Sequence, residues 1–283
     1  MFSQNYFSIN VDNDLFFGTD RYYSSGIFLN FGNKVSIDSL SSNNKIITRD
    51  FVLGQKINTP SYRYTKDIKK IDYPYNGWLF VQYKMNTFYS YYKGYSVGFQ
   101  LGTTGENESL SKPMQNLYHK YILDLPPLPW VNHQPQSFHF DFITEYYNGL
   151  KFNNNINLLS HSELYLGTYE SYFGTRLGFQ FGKINHHVFY NNSFLNPDKS
   201  ISFYLGSKIE YSFHRYSFSG SLFDSNSLFK YDYLKMTHKI ELGLLYNIND
   251  WQFTTIINSK GRDFEVQRYN RHTYLTIIIL KTF

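Results

Sequence analysis

The chain contains no cysteine. That excludes a disulfide framework, a thiolate metal centre and a cysteine nucleophile. No apolar run approaches about 18 residues, so no membrane-spanning helix is encoded. Proline is scarce, at 8 of 283 residues, and no low-complexity tract occurs, which argues against a disordered chain. Charged side chains make up only 17%, and 27 basic against 22 acidic residues leave a net +5. With no dense Lys/Arg block, no nucleic-acid partner is expected. The opening MFSQNYFSIN has neither a basic n-region nor an apolar h-region. Such a start fits either a cytoplasmic protein or a mature chain with an added initiator Met.

Aromatic residues are what the chain has in excess. Tyr, Phe and Trp number 28, 27 and 3, or 20% of the whole, while total hydrophobic content is an ordinary 42%. The apolar character therefore sits in rings rather than aliphatic stretches. Its dominant period is two. Thirteen segments read as strands: 5–12, 25–33, 48–57, 78–89, 94–103, 137–148, 155–167, 171–184, 200–213, 216–224, 236–247, 251–259 and 272–283. In SISFYLGSKIEYSF, Ile201, Phe203, Leu205, Ile209, Tyr211 and Phe213 share one face. Ser202, Lys208, Glu210 and Ser212 take the other.

Several segments are longer than a soluble sandwich needs and match the roughly 9–11 residues of a tilted membrane-spanning strand. Aromatics crowd the segment ends, as at Phe28/Phe31, Tyr89/Tyr91/Tyr92 and Tyr165/Tyr169/Tyr172. They are expected to form girdles at the lipid–water boundaries. The alternative is a soluble all-β protein with aromatic cross-strand pairs. An up-and-down barrel closes with an even strand number. One of the thirteen segments is thus expected to fail, with 155–167, 216–224 and 251–259 the weakest. The expected fold is all-β: a single-domain (1–283), twelve-stranded antiparallel transmembrane β-barrel.

Counting strands up and down sends connections 13–24, 58–77 and 104–136 to one end of that barrel. Those at 34–47 and 90–93 go to the other. The long connection 104–136 exceeds any ordinary hairpin loop and is expected to be functional. Its SLSKPMQNLYHKYI carries an early Pro and helix-like spacing of Met114, Leu117 and Tyr121, which predicts a short helix.

Three polar constellations occupy the shared end. Asp12, Asn13, Asp14 and Asp20 gather hard oxygen atoms beside a Gly turn, which suits calcium or simply a polar hairpin loop. His119 in QNLYHKY is either a general base or a surface histidine. Arg63, Lys66, Lys69 and Lys70 form a cationic loop that either meets lipid phosphates or is merely solvated. His186 and His187 would point to opposite faces of a strand, so no shared metal is expected of them; they read as a loop edge.

These segments together resemble the outer-membrane lipid A 3'-O-deacylase family. The similarity lies in DNDLFFGTDRYYSSGIFL (12–29), GQKINTP (54–60), DYPYNGW (72–78), GTTGENESLSKPMQNLYH (102–119) and PWVNHQ (129–134). In motif form it covers roughly residues 8–148. The resemblance implies a twelve-stranded barrel in the Gram-negative outer membrane. It implies calcium-dependent removal of the 3'-linked acyloxyacyl group of lipid A at the extracellular face. The family's catalytic Asn-Asp pair falls on Asn13 and Asp14, its Thr on Ser24 and its His on His119. Its essential Lys has Lys66 as the nearest counterpart, with Arg63 as runner-up, because the stretch differs in length. Tyr73 and Asn76 replace an Arg and an Ala of the family pattern.

In that scheme Asp14 and Asn13 hold Ca²⁺, which stabilises the developing oxyanion. His119 takes the proton from an attacking water. Ser24 positions the intermediate, and Lys66 or Arg63 meets a phosphate or the oxyanion. Expected partners are lipopolysaccharide and outer-membrane lipids, and the protein is expected to be monomeric. The rival readings are a non-enzymatic porin or binding scaffold, an esterase or phospholipase of other specificity, and a soluble carbohydrate-binding β-protein.

Overall fold

The computed structural model describes residues 5–35, 45–90, 92–182, 187–189, 199–223 and 231–283. Among these, twelve strands form one closed antiparallel barrel. They are β1 (Asn5–Asn13), β2 (Tyr22–Val35), β3 (Ile46–Thr59), β4 (Asn76–Phe88), β5 (Gly94–Thr104) and β6 (Phe138–Asn153). There follow β7 (Ile156–Gly167), β8 (Glu170–Gly182), β9 (Ser200–Arg215), β10 (Met236–Ile248), β11 (Trp251–Gly261) and β12 (Arg271–Thr282). Each strand pairs with its chain neighbours, and β1 closes on β12 from Tyr6↔Thr282 to Asn13↔Leu275. No sheet edge is left open, so every strand's backbone polar groups can be satisfied in a ladder.

Alternation decides the two faces. On β9, Ile201, Phe203, Leu205, Ile209, Tyr211 and Phe213 are 42–56% exposed. Ser202, Lys208 and Ser212 on the same strand are buried. An apolar exterior around a polar interior is the pattern that a lipid surround imposes on a barrel wall. Ion pairs run along the luminal wall, each joining strands two apart: Lys84 to Glu145 at 2.9 Å, Arg176 to Glu241 at 3.1 Å, and Lys208 to Glu163. Apolar side chains plug it further, with Leu159, Val188, Tyr204 and Leu245 in one buried cluster.

Two sequence expectations need correction. Residues 216–224 do not make a strand. Tyr216–Ser219 form a short helix, α2, and residue 224 lies outside the described residues. Its Tyr216 and Phe218 are buried beneath the loop end, held there by Tyr216 N–H donating to the Tyr169 carbonyl at 2.8 Å. Both segments 155–167 and 251–259 are strands. The aromatic girdle is also only partly where alternation suggested. Phe31 and Tyr89 are exposed, but Tyr169 and Tyr172 turn into the lumen. There Tyr169 stacks on Trp78 with centroids 4.1 Å apart. Tyr91 lies outside the described residues.

The connections after β1, β3 and β5 leave the barrel at the same end, as strand counting required. The third contains helix α1 (Ser111–Tyr118), with Pro113 in its first turn, where a missing N–H costs nothing.

Candidate active site

Helix α1 is bolted to the outside of the barrel wall. Gly77 on β4 makes the approach possible: a Cβ there would lie 2.1 Å from Ser109 Oγ and 2.3 Å from Ser111 Oγ. The Gln55 amide on β3 donates to the Ser109 carbonyl at 2.8 Å. Gln115 bridges wall and loop, donating to Thr59 Oγ1 and accepting from Trp130 Nε1, both at 2.9 Å. Asn116 ties the helix to the returning chain, accepting from Leu128 N–H at 2.7 Å and donating to its carbonyl at 3.3 Å. The last turn, His119–Leu123, widens to a π-helix. Such widened turns are frequent at functional sites, because they re-aim a side chain.

His119 is the residue re-aimed. It is buried, and its Nε2 lies 3.0 Å from Asp20 Oδ2. Its Nδ1 lies 3.4 Å from the Pro126 carbonyl. The same Asp20 oxygen faces Arg63 at 3.4 Å. Arg63 is held in turn by its own carbonyl, which accepts the Tyr75 hydroxyl. The His–Asp pair is assembled from two connections that leave the barrel at the same end.

The loop after β1 is equally built. Asn13 Oδ1 accepts from Leu15 N–H at 2.7 Å, starting a tight turn over Leu15–Phe17. Gly18, at φ 68°, closes that turn in the left-handed region that glycine tolerates. Asp14 Oδ2 accepts from Thr19 Oγ1 at 2.7 Å and Arg21 N–H at 2.9 Å. Asp14 is 1% exposed, and among the described residues no cationic side chain pairs with it. Burial pushes its carboxyl up to about 7. A buried carboxylate without a counter-charge is costly. The neighbouring Asn13 and Asp20 offer further hard oxygen atoms. This donor set fits a calcium ion better than a transition metal.

Ser24 sits where the β2–β3 register slips between Tyr23 and Ser25, a β-bulge. Bulges re-aim side chains and collect next to active sites. Its hydroxyl lies 3.1 Å from Thr59 Oγ1 and 3.3 Å from the Ile57 carbonyl. Among the described residues no hydrogen bond joins it to His119.

Asn13, Asp14, Ser24 and His119 all line one cavity of about 790 Å³. Outward-facing Val11, Ile27 and Ile57 of β1–β3 form its floor, and α1 with the π turn forms its far wall. That wall is apolar and open to the surroundings: Leu117, Tyr121 and Ile122 are 55%, 68% and 68% exposed. The cavity therefore lies on the outer surface of the barrel and not in its lumen. Lys66 is exposed on the connection after β3 and does not line the cavity, whereas Arg63 of the same connection reaches Asp20.

A second His/carboxylate group, Glu145, His161 and Glu163, lies inside the barrel. Lys84, Arg176 and Lys208 already surround it, so its charge is met without a metal. His187 is buried near the opposite end, 3.0 Å from the Ser160 carbonyl; His186 lies outside the described residues. Sequence reasoning missed the bridging roles of Gln115 and Thr59. It read Asp20 as a metal oxygen and not as the partner of His119. GTDRYY and QNLYH held both residues in view, but nothing in either motif pairs them.

The fold and the site define an outer-membrane-type β-barrel with a loop-borne His–Asp pair beside an apolar cavity on its outer wall. Residues 2–279 match the family described as outer membrane protein LpxR, and the chain belongs to that family. It is thus an outer-membrane β-barrel protein. No curated protein sequence matches the chain. Among solved structures, LpxR from Salmonella typhimurium is similar with a TM-score of 0.78 at 15% identity, covering 98% of this chain and 99% of that one. The β domain of the Bordetella autotransporter BrkA follows at a TM-score of 0.54 and 10% identity, covering 99% and 98%. At such identities the likeness is one of fold.

Proposed function

We propose that the protein is a lipid A 3'-O-deacylase working at the extracellular face of the outer membrane. The observation that carries this reading is the placement of a buried His–Asp pair at an apolar cavity open along the barrel's outer wall. A lipid standing in the membrane can enter such a cavity sideways, with its acyl chains against Leu117, Tyr121 and Ile122. A porin needs an open lumen, and here two buried clusters, Leu159, Val188, Tyr204 and Leu245 and Tyr22, Tyr73, Phe218 and Phe264, fill part of it. Family membership supports lipid A as substrate.

Asp20 fixes the ring of His119. Nε2–H donates to Asp20, and at Nδ1 the Pro126 carbonyl, 3.4 Å away, must give way to the attacking water as substrate enters, so that the Nδ1 lone pair takes the water's proton. The carboxylate also stabilises the imidazolium that results. As the tetrahedral intermediate collapses, His119 returns the proton to the leaving sugar oxygen. Asn13 and Asp14 would hold Ca²⁺, which when bound supplies positive charge for the ester oxygen. Ser24, set by its bulge and by Thr59, orients the oxygen atoms around that centre. Arg63, or Lys66 from the same connection, engages the polar part of the substrate. Water is the nucleophile, so no acyl group is carried on the protein.

The test is mass spectrometry of lipid A incubated with purified protein, with Ca²⁺ and with chelator, beside a phospholipid control. Calcium-dependent loss of the 3'-linked acyloxyacyl group from lipid A supports the reading. Preferential hydrolysis of the phospholipid would replace it with a phospholipase, and no hydrolysis of either with a non-enzymatic barrel.

A further inference from the structure

Two arginines on connections at the same end of the barrel as the His119–Asp20 pair are not used by the proposed chemistry. Arg21 immediately follows Asp20, and its N–H already serves Asp14. Its guanidinium carbon lies over the Tyr269 ring at 3.7 Å, and its buried Nε has no hydrogen-bond partner among the described residues. Arg268 comes from the connection after β11. It is exposed and lies 4.3 Å from the Tyr62 ring and 5.5 Å from the same Tyr269 ring. Both guanidinium groups thus lie within 5.5 Å of the centroid of one tyrosine ring. Among the described residues neither has a carboxylate partner, whereas Arg63, Arg176, Arg215 and Arg262 each do.

The framework under them is rigid. Asp72 accepts from the Tyr22 hydroxyl and Ser61 N–H at 2.9 Å each, and from Arg268 N–H at 3.3 Å. Tyr269 N–H donates to the Tyr22 hydroxyl at 3.1 Å. Asp72 is therefore taken up by knitting its own connection to the start of β2 and to the connection after β11. It ties the backbone of Arg268 and leaves its guanidinium free. Guanidinium groups held against aromatic rings, with no carboxylate to take up their forks, suit an oxyanion that accepts two or more hydrogen bonds at once.

We propose that Arg21 and Arg268 form a phosphate subsite for the lipid substrate. This rests on the deacylase reading above. In lipid A the sugar carbon next to the 3' ester carries a phosphate monoester. Arg21 adjoins Asp20 in the chain, so ester and phosphate are met by neighbouring groups. Arg21 and Arg268 then select the phosphorylated lipid and set the register in which its ester reaches His119.

The experiment is equilibrium binding to the full-length barrel in detergent, in the His119→Ala background so that ligand persists. The probes are phosphorylated lipid A, its phosphate-stripped counterpart, phosphatidylglycerol and inorganic phosphate. The His119→Ala barrel should prefer phosphorylated lipid A by roughly tenfold or more. Adding Arg21→Gln and Arg268→Gln should narrow that preference to within about twofold. Adding Arg268→Lys alone, which keeps the charge but not the fork, should fall between. An unchanged preference in the double-Gln variant, or none in the starting barrel, would overturn the proposal. So would displacement of lipid A by phosphatidylglycerol or inorganic phosphate at equal concentration, since that assigns the arginines to any phosphate. Binding is read without turnover, so a lipid that binds with phosphate preference but is never deacylated defeats the deacylase reading and spares the subsite.

Discussion

His119 and Asp20 are 99 positions apart in the chain and meet at 3.0 Å. One rides on the π turn after α1, the other on the hairpin after β1. Their contact depends on α1 being fastened to the barrel wall. Asp20→Asn keeps the shape but removes the charge that fixes the ring. The turnover rate should fall about 10²–10⁴-fold. Barrel folding, read from heat-modifiable gel mobility, should be unchanged. A rate within threefold of wild type would mean that Asp20 serves only to hold Arg63.

Among the described residues, Asp14 is a buried acid with no cationic side chain paired to it. Calcium should therefore stabilise the wild-type barrel, by about 2.7 kcal/mol at a concentration 100 times its Kd. Asp14→Asn should remove that stabilisation, measured as the calcium-dependent shift of the thermal midpoint. The same variant without calcium should be at least as stable as wild type, because a buried uncompensated carboxylate is gone. Equal calcium shifts in the two proteins would remove Asp14 from the ligand set.

Gln115 is the rivet between helix and wall. Gln115→Ala strands Trp130 Nε1 and frees Thr59, at a local cost of about 1–3 kcal/mol. The loop over 105–137 should become more sensitive to protease while the twelve strands stay closed. Activity should drop because His119 loses its seat. Unchanged protease sensitivity and unchanged activity would contradict this.

In the proposed mechanism Ser24 orients the reacting oxygen atoms and does not attack. Ser24→Ala should lower kcat about 10²-fold, in line with loss of one oriented donor. Ser24→Thr should retain most activity. Intact-mass measurement during turnover should find no acylated protein. An acyl adduct on Ser24 would replace the water mechanism with a covalent one.

The alternation of β9 was readable residue by residue, and so was the helix at Met114, Leu117 and Tyr121. Period two states that faces differ but not which face is the lumen. Tyr169 and Tyr172 therefore looked like girdle residues, although their partners, Trp78 and Glu163, are inside. Residues 216–224 alternate like a strand, yet a barrel already closed by its twelve neighbours has no edge to receive them. The pairing of His119 with Asp20 was out of reach for a different reason. It is a distance between two connections, set by how α1 docks, and neither motif encodes the docking partner.

The most direct measurement is the mass of lipid A after incubation with wild-type and His119→Ala barrels of equal foldedness, calcium present. Wild type should remove the 3'-linked acyloxyacyl group, and His119→Ala should leave the lipid intact. Acyl loss at the wild-type rate in His119→Ala would contradict the account at its centre.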